Sequence, residues 1–288
     1  MNFSRLRGRL AFAAGLVLAL SLTGCAPTSP TPPSPSPPVS APSVPEQAAL
    51  TLADLPEARF DAVIPALLGV HFETPSVIKD PRIVTLSSPL TLYGYDEGTQ
   101  LLPVAYLAAT DFTGAPTATL AFDSEHPGYS MILTPSRQIL PSQSADAPAQ
   151  TAGYVKTSDL PRGKSVSQHI TVNLGKGTVS VIDAMGFPVW ETKMRAGASS
   201  TPTPTGLGYV EAVYSDPTQS PRPILLTSLH AVGADEPYSS GPRPGLGGLI
   251  AIHAAPLADS HGCIRVTPEA QDQLLKYATA GMPVVVLP

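Results

Sequence analysis

The sequence predicts a mainly β protein: two β units in series, with one helix near the C-terminus, behind a leader that builds no core. Three observations predict it. Short runs rich in β-branched and aromatic residues recur from about residue 80 onward, separated by Pro, Gly, Ser and Asp. Only one stretch, beginning at Thr267, joins helical spacing to both start and stop signals. The first 45 residues hold a short apolar run and then a proline-rich tract.

The leader comes first. "MNFSRLRGRL" carries Arg5, Arg7 and Arg9 without an acidic residue, and Leu10–Leu22 is uninterrupted apolar sequence. A basic start, a short apolar run and small residues after it form an export signal, and the run is shorter than the roughly 20 residues a membrane span needs. "LTGC", Leu22 to Cys25, resembles a bacterial lipoprotein box, which implies a signal peptide over 1–24, diacylglycerol on the Cys25 thiol, and a place on the outer side of the cell membrane. Residues 25–46 then hold the lipidated Cys and a spacer. Ala26–Pro45 has nine Pro in twenty residues, a composition that favours extended polyproline II and could reach roughly 60 Å.

Residues 48–79 read as a short helical or irregular lead-in, with Asp54 as N-cap and Pro56 and Pro65 limiting any helix. "RIVTLSSPLTLYGY", "QLLPVAYLAAT", "ATLAFDS", "YSMILTP" and "AGYVKTSDL" follow as strands of a small β-domain over 80–162. That segment, with its closing "TAGYVKTSDL", resembles a bacterial SH3-like domain. "PRGKSVSQ" reads as a connector. The second unit, 169–288, opens with "HITVNL" and "GTVSVIDAMGFPVWETK", in which "DAMG" is a hairpin turn and Trp190 a packing residue. "TGLGYVEAVYSD", "PILLTSL" and "GGLIAIHAAP" continue as strands. Between the last two lies a long loop, 228–248, in which His230 reads as a solvated residue; loops of that length often cover sites. The helix is expected over Thr267–Ala280, with Thr267 as N-cap, Pro268 at N1, Glu269 on the positive end and Gly281 as the stop. "MPVVVL" closes the chain as a buried strand.

Net charge is −5 and charged residues are 14% of the chain, so no broad basic face is expected and nucleic acid is excluded as a partner. The chain has two cysteines. If Cys25 carries lipid, Cys263 has no partner for a disulfide, which in an exported protein calls for an explanation. Cys263 lies in "DSHGCIRV", between a strand and the helix. A thiol attacks as thiolate, and a nearby imidazole can remove its proton; His253 and His261 are both candidates. Gly262 permits a turn that aims backbone N–H groups at a reacting carbonyl. No Cys-x-x-Cys or His-Glu-x-x-His spacing occurs, so no metal and no cofactor is expected.

"SHGCIRV" with the upstream "IAIHAAP", and "TPTPTG" at Thr201–Gly206, resembles the signature of the L,D-transpeptidase catalytic domain family, over about His169–Leu287. The resemblance implies a mixed β-sheet domain acting on peptidoglycan stem peptides and forming 3→3 cross-links. Cys263 would be the acylated nucleophile and His253 the base, with the backbone carbonyl of Ala254 holding its tautomer. N–H groups of His261, Gly262 and Cys263 would form the oxyanion hole. Ser260, His261 and Arg265 would shape the loop, with Arg265 and Ala254 at the substrate. Carbapenem-type β-lactams would acylate Cys263. Only six residues separate His253 from Ser260, fewer than is usual in the family, and Ala254 stands where many members have Gly. An L,D-carboxypeptidase on the same scaffold, or a non-catalytic peptidoglycan-binding lipoprotein, are the alternatives.

Overall fold

Short β-branched runs pair into two sheets, in a computed structural model that describes residues 51–71, 81–95, 100–233, 235 and 248–288. The leader, Cys25, the spacer and most of the 228–248 loop lie outside the described residues.

The first sheet holds β1 (Leu68–Val70), β2 (Arg82–Thr85), β3 (Leu90–Tyr95), β4 (Leu101–Leu107), β5 (Ala118–Asp123), β6 (Tyr129–Thr134), β7 (Gln150–Lys156) and β8 (Lys164–Ser165). Its order is β4-β3-β7-β6-β5-β2-β8, with β1 also paired to β7. The lead-in is more ordered than its prolines suggest. Leu52–Asp54 is one 3₁₀ turn whose N-cap is Thr51, not Asp54; the Asp54 carboxylate accepts from the Thr51 amide at 2.9 Å and so closes the turn from inside. Leu68–Val70 then joins the sheet as β1. Alternation sets the faces. Leu90 and Leu92 pack with Val84, Ala105, Ile132 and Val155 on one side, while Leu120, Phe122, Leu133 and Ala152 face the second sheet.

The second sheet holds β9 (Gln168–Asn173), β10 (Thr178–Asp183), β11 (Pro188–Lys193), β12 (Gly206–Tyr214), β13 (Ile224–His230), β14 (Leu249–Ala254), β15 (Ile264–Val266) and β16 (Pro283–Leu287), in the order β11-β10-β9-β16-β12-β13-β14-β15. It is mixed, because β9/β16 and β14/β15 run parallel and the other pairs antiparallel. The β10–β11 turn is the expected hairpin, with Asp183 Oδ1 accepting from the Met185 and Phe187 amides and Gly186 at φ 85°. Ile170 and Val181 from one end of the order share a core with Ile252, Ile264 and Val266 from the other, so the sheet curls over that core. Its central strands are covered on both faces: Val284 and Val286 enter the inner core, while Val285 packs with Leu207 and Tyr209 against the first sheet. That is why β13 is buried throughout, its polar Thr227, Ser228 and His230 included.

Among the described residues there is one α-helix, α1 (Pro268–Leu274). The Thr267 hydroxyl caps it by accepting from the Ala270 amide, and Pro268 occupies N1. It stops six residues before the expected end at Ala280. Lys276 and Tyr277 bond three residues back, tightening the last turn, and Tyr277 and Ala278 fold onto the core so that the chain can enter β16. Gly281, at φ 80°, makes that reversal, and a Cβ there would meet Ile83 of the first sheet at 2.6 Å.

Candidate active site

Strand register brings the two central residues together. In the parallel β14/β15 pair, Ile252 lies opposite Ile264 and His253 opposite Arg265. Ile252, Ile264 and Val266 point into the inner core. By alternation Ala251, His253, Cys263 and Arg265 emerge on the other face. Cys263 accordingly packs against the cluster formed by Phe60, Ile224, Leu226, Leu249 and Ala251, and not in the inner core. His253 and Cys263 are diagonal neighbours on adjacent strands, a spacing an imidazole ring can bridge.

The segment that carries the thiol is tied down along its length. Ser260 Oγ donates to the Cys263 carbonyl and accepts from the Gly262 amide at 3.2 Å. Thr203 Oγ1 donates to the Gly262 carbonyl at 2.7 Å and accepts from the Gly197 amide at 2.9 Å. Thr201 Oγ1 donates to the Ser260 carbonyl at 3.1 Å, and the Ala198 amide donates to that same oxygen at 2.8 Å. Arg195 and Arg265 exchange two backbone bonds. The "TPTPTG" stretch thus clamps the loop before the nucleophile. Gly262 sits at φ 111°, a conformation that requires glycine, and a Cβ there would also push the Ile250 Cδ1 methyl, 2.8 Å away, aside.

Charge at the site is arranged around neutral partners. Burial pushes the Cys263 thiol up, against a hydrogen bond from the Ala251 backbone and the Arg265 charge. Burial pulls the His253 imidazole below its ordinary value, and the Arg265 charge adds to this, while the Ala254 backbone opposes it. Near neutral pH the pair is therefore thiol and imidazole, a nucleophile holding its proton and a base ready to take it. His253 Nδ1 is buried and closes no hydrogen bond.

The other expected residues fall out differently. Arg265 Nη1 donates to the Asp259 carbonyl at 3.1 Å and to the Ala258 carbonyl at 3.4 Å, so one arm of its fork braces the loop. Ala254 is fully buried, which rules out a side-chain contact with substrate; its backbone raises the His253 pKa, but the hydrogen bond expected to hold the His253 tautomer is not closed at Nδ1. His261 is exposed, and it is His253 that shares the face of Cys263. The Gly262 amide, expected in the oxyanion hole, is engaged by Ser260 Oγ. His230 is not a solvated loop residue: it ends β13, fully buried, with Nε2 at 2.7 Å from the Pro135 carbonyl. Trp190 is half-buried against the inner core. Cys25 lies outside the described residues. Thr227 and Gln271 were not singled out by sequence. Thr227 Oγ1 donates to the Ile250 carbonyl at 2.6 Å and Gln271 Nε2 to the Ile252 carbonyl at 3.2 Å, together fixing β14 beneath His253. Among the described residues no group of three His, Cys, Asp or Glu could hold a metal ion.

Comparison with known proteins gives one family. Residues 167–286 match the YkuD model, described as the L,D-transpeptidase catalytic domain. No curated protein matches the chain. Among solved structures, an L,D-transpeptidase of Stackebrandtia nassauensis is 17% identical over 42% of this chain and 56% of its own, with a TM-score of 0.30. The catalytic domain of an Enterococcus faecium L,D-transpeptidase is 24% identical over 42% of this chain and 96% of its own, with a TM-score of 0.30. A Mycobacterium smegmatis L,D-transpeptidase is 16% identical over 79% of this chain and 94% of its own, with a TM-score of 0.32. This chain spans about half the length of the first of these structures. Residues 167–286, the segment that holds both His253 and Cys263, thus match the L,D-transpeptidase catalytic domain family.

Proposed function

We propose that this protein is a membrane-anchored L,D-transpeptidase that acts on peptidoglycan stem peptides through a thioester on Cys263. The observation that carries the reading is the placing of His253 and Cys263 on one face of the β14/β15 pair, inside the segment matched to the family. His253 takes the Cys263 proton as sulfur attacks the carbonyl before the terminal D-alanine of a tetrapeptide stem. The carbon–sulfur bond forms, and backbone N–H groups of His261 and Cys263 hold the oxyanion. The carbon–nitrogen bond breaks, and the imidazolium returns its proton to the departing D-alanine amine. A stem amine then attacks the thioester and yields a proton to His253, the carbon–nitrogen bond forms as the carbon–sulfur bond breaks, the imidazolium returns that proton to Cys263, and a 3→3 cross-link results. Arg265 keeps both partners poised by its charge and braces the loop through the Ala258 and Asp259 carbonyls. Carbapenem-type β-lactams would acylate the same sulfur. Among solved structures similar to this chain, one is a carbamoyl enzyme formed with avibactam.

Anchoring belongs to the same proposal. Cys25 carries the lipid, and the proline-rich segment spaces the catalytic domain from the outer face of the membrane. Incubating the whole chain in detergent with disaccharide-tetrapeptide, and separating the products, tests the reaction: a cross-linked dimer plus free D-alanine supports transfer. Tripeptide alone assigns a carboxypeptidase, and unchanged substrate a non-catalytic binder. Cys25→Ala is expected to leave the membrane fraction; its retention there would sink the anchor.

A further inference from the structure

One buried carboxylate has no part in the reaction so far described. Glu211 lies on β12, where the pairing with β13 shifts between Val210 and Ala212, so Glu211 is the bulged residue with no partner opposite it. It is 5% exposed, and its Oε2 makes no hydrogen bond. A carboxyl in that position is expensive and rarely retained without a counterpart. Burial pushes it up to about 7, and Asp111 adds to the effect while the Tyr209 hydroxyl opposes it.

Glu211 lines a cavity of about 500 Å³ built from four parts of the chain: the lead-in with Glu57 and Phe60, the β4–β5 connection with Asp111 and Phe112, Pro135 after β6, and β12. Three carboxylates line it. The one cation on its wall, Arg59, pairs with Asp61 at 2.8 Å and lies over the Phe60 ring at 5.9 Å from its centroid, which leaves Glu211 without a counter-charge. Phe60 and Phe112, which meet edge to face at 5.2 Å between centroids, are the aromatic part of the wall, beside the aliphatic Ala58, Leu107, Ala108 and Pro135. Carboxylates beside aromatic faces recognise a cation with an apolar stem. Phe60 belongs to the apolar cluster that Cys263 and Phe112 both pack against, so one cluster borders both cavity and thiol.

We propose that this cavity binds a primary alkylammonium group, with Glu211 as its buried counter-charge. Resting on the transferase reading, the ligand is the amine-bearing side chain of a stem peptide. Glu211 is a binding residue here, outside the bond-making step.

The test uses the whole chain in detergent. The probe is Nα-acetyl-lysine methylamide, which carries one ammonium, and its control is the Nε-acetylated form, which carries none. Titrations followed by calorimetry are expected to show saturable binding of the probe, at least tenfold weaker binding of the control, and at least tenfold loss in Glu211→Gln. Glu57→Gln is expected to show a smaller loss; it carries the test if Glu211→Gln fails to fold, as judged by Trp190 fluorescence. Equal binding of probe and control, or full binding by a folded Glu211→Gln, or by Glu57→Gln where that variant carries the test, overturns the proposal. Acylation of Cys263 is measured on the same samples. A wild-type chain that binds the probe but forms no acyl-enzyme removes the transferase reading and leaves the site standing.

Discussion

Glu211→Gln has a pH-dependent effect on stability whose size follows from the structure. The folded chain holds the Glu211 proton up to about pH 7, and the unfolded chain releases it near the ordinary 4.5. Between those values the folded state binds more protons, so stability falls as pH rises. Below 4.5 the penalty is absent, and above 7 it is fully present, at about 3 kcal/mol. Glutamine has a similar shape and cannot ionise. The variant is therefore expected to exceed the wild type by about 3 kcal/mol at pH 8.5 and to match it near pH 4. In thermal terms the gap at high pH is about 6–12 °C for a chain of this size. Urea unfolding followed by Trp190, the single tryptophan, reports on the sheet that carries Glu211. A gap that stays constant from pH 4 to 8.5, or a variant weaker at high pH, would refute the reasoning.

Three further substitutions probe the loop around Cys263. Arg265→Gln removes a charge that lowers both His253 and Cys263, so the acid limb of acylation should move to higher pH; Arg265→Lys should keep the limb in place but react more slowly, having lost the bonds to Ala258 and Asp259. A profile unmoved in Arg265→Gln would contradict this. Gly262→Ala forces a side chain into φ 111° against Ile250, which should cost roughly 1–3 kcal/mol in urea unfolding and remove most acylation. Thr203→Val strands the Gly262 carbonyl and Gly197 amide, with an expected loss of about 1–3 kcal/mol and slower acylation; wild-type rates would show the clamp to be dispensable.

The strands that alternate or run apolar were legible because burial on one face or two leaves a period in the residues themselves. β10 and β11 with their Asp-x-x-Gly turn, and the buried β16, are of this kind. β1, β8 and β15 were not legible, being two or three residues long and defined by partners distant in the chain. The helix start was written in Thr267 and Pro268, but its end depends on where Tyr277 meets the core, which no local signal encodes. At the site, motif spacing pointed to His253, Ser260, Gly262 and Cys263, while their common face follows from a parallel register only the fold supplies. The clamp from Thr203 was visible as a motif but not as a set of bonds. His230 looked like a loop residue because the Gly- and Pro-rich run begins just after it, yet β13 carries it into the interior. Glu211 gave no signal, since it sits at a bulge in a strand whose residues from Gly206 to Ala212 are all buried, a context its own side chain does not announce.

The central claim is that Cys263 is the nucleophile and His253 its base. Intact-protein mass spectrometry of the whole chain, incubated with disaccharide-tetrapeptide and separately with a carbapenem, tests it most directly. The expected result is one covalent adduct per chain with each reagent, mapped to Cys263, absent in Cys263→Ala and formed far more slowly in His253→Gln. An adduct that persists in Cys263→Ala, or a folded wild-type chain with a free thiol that reacts with neither reagent, would contradict the account.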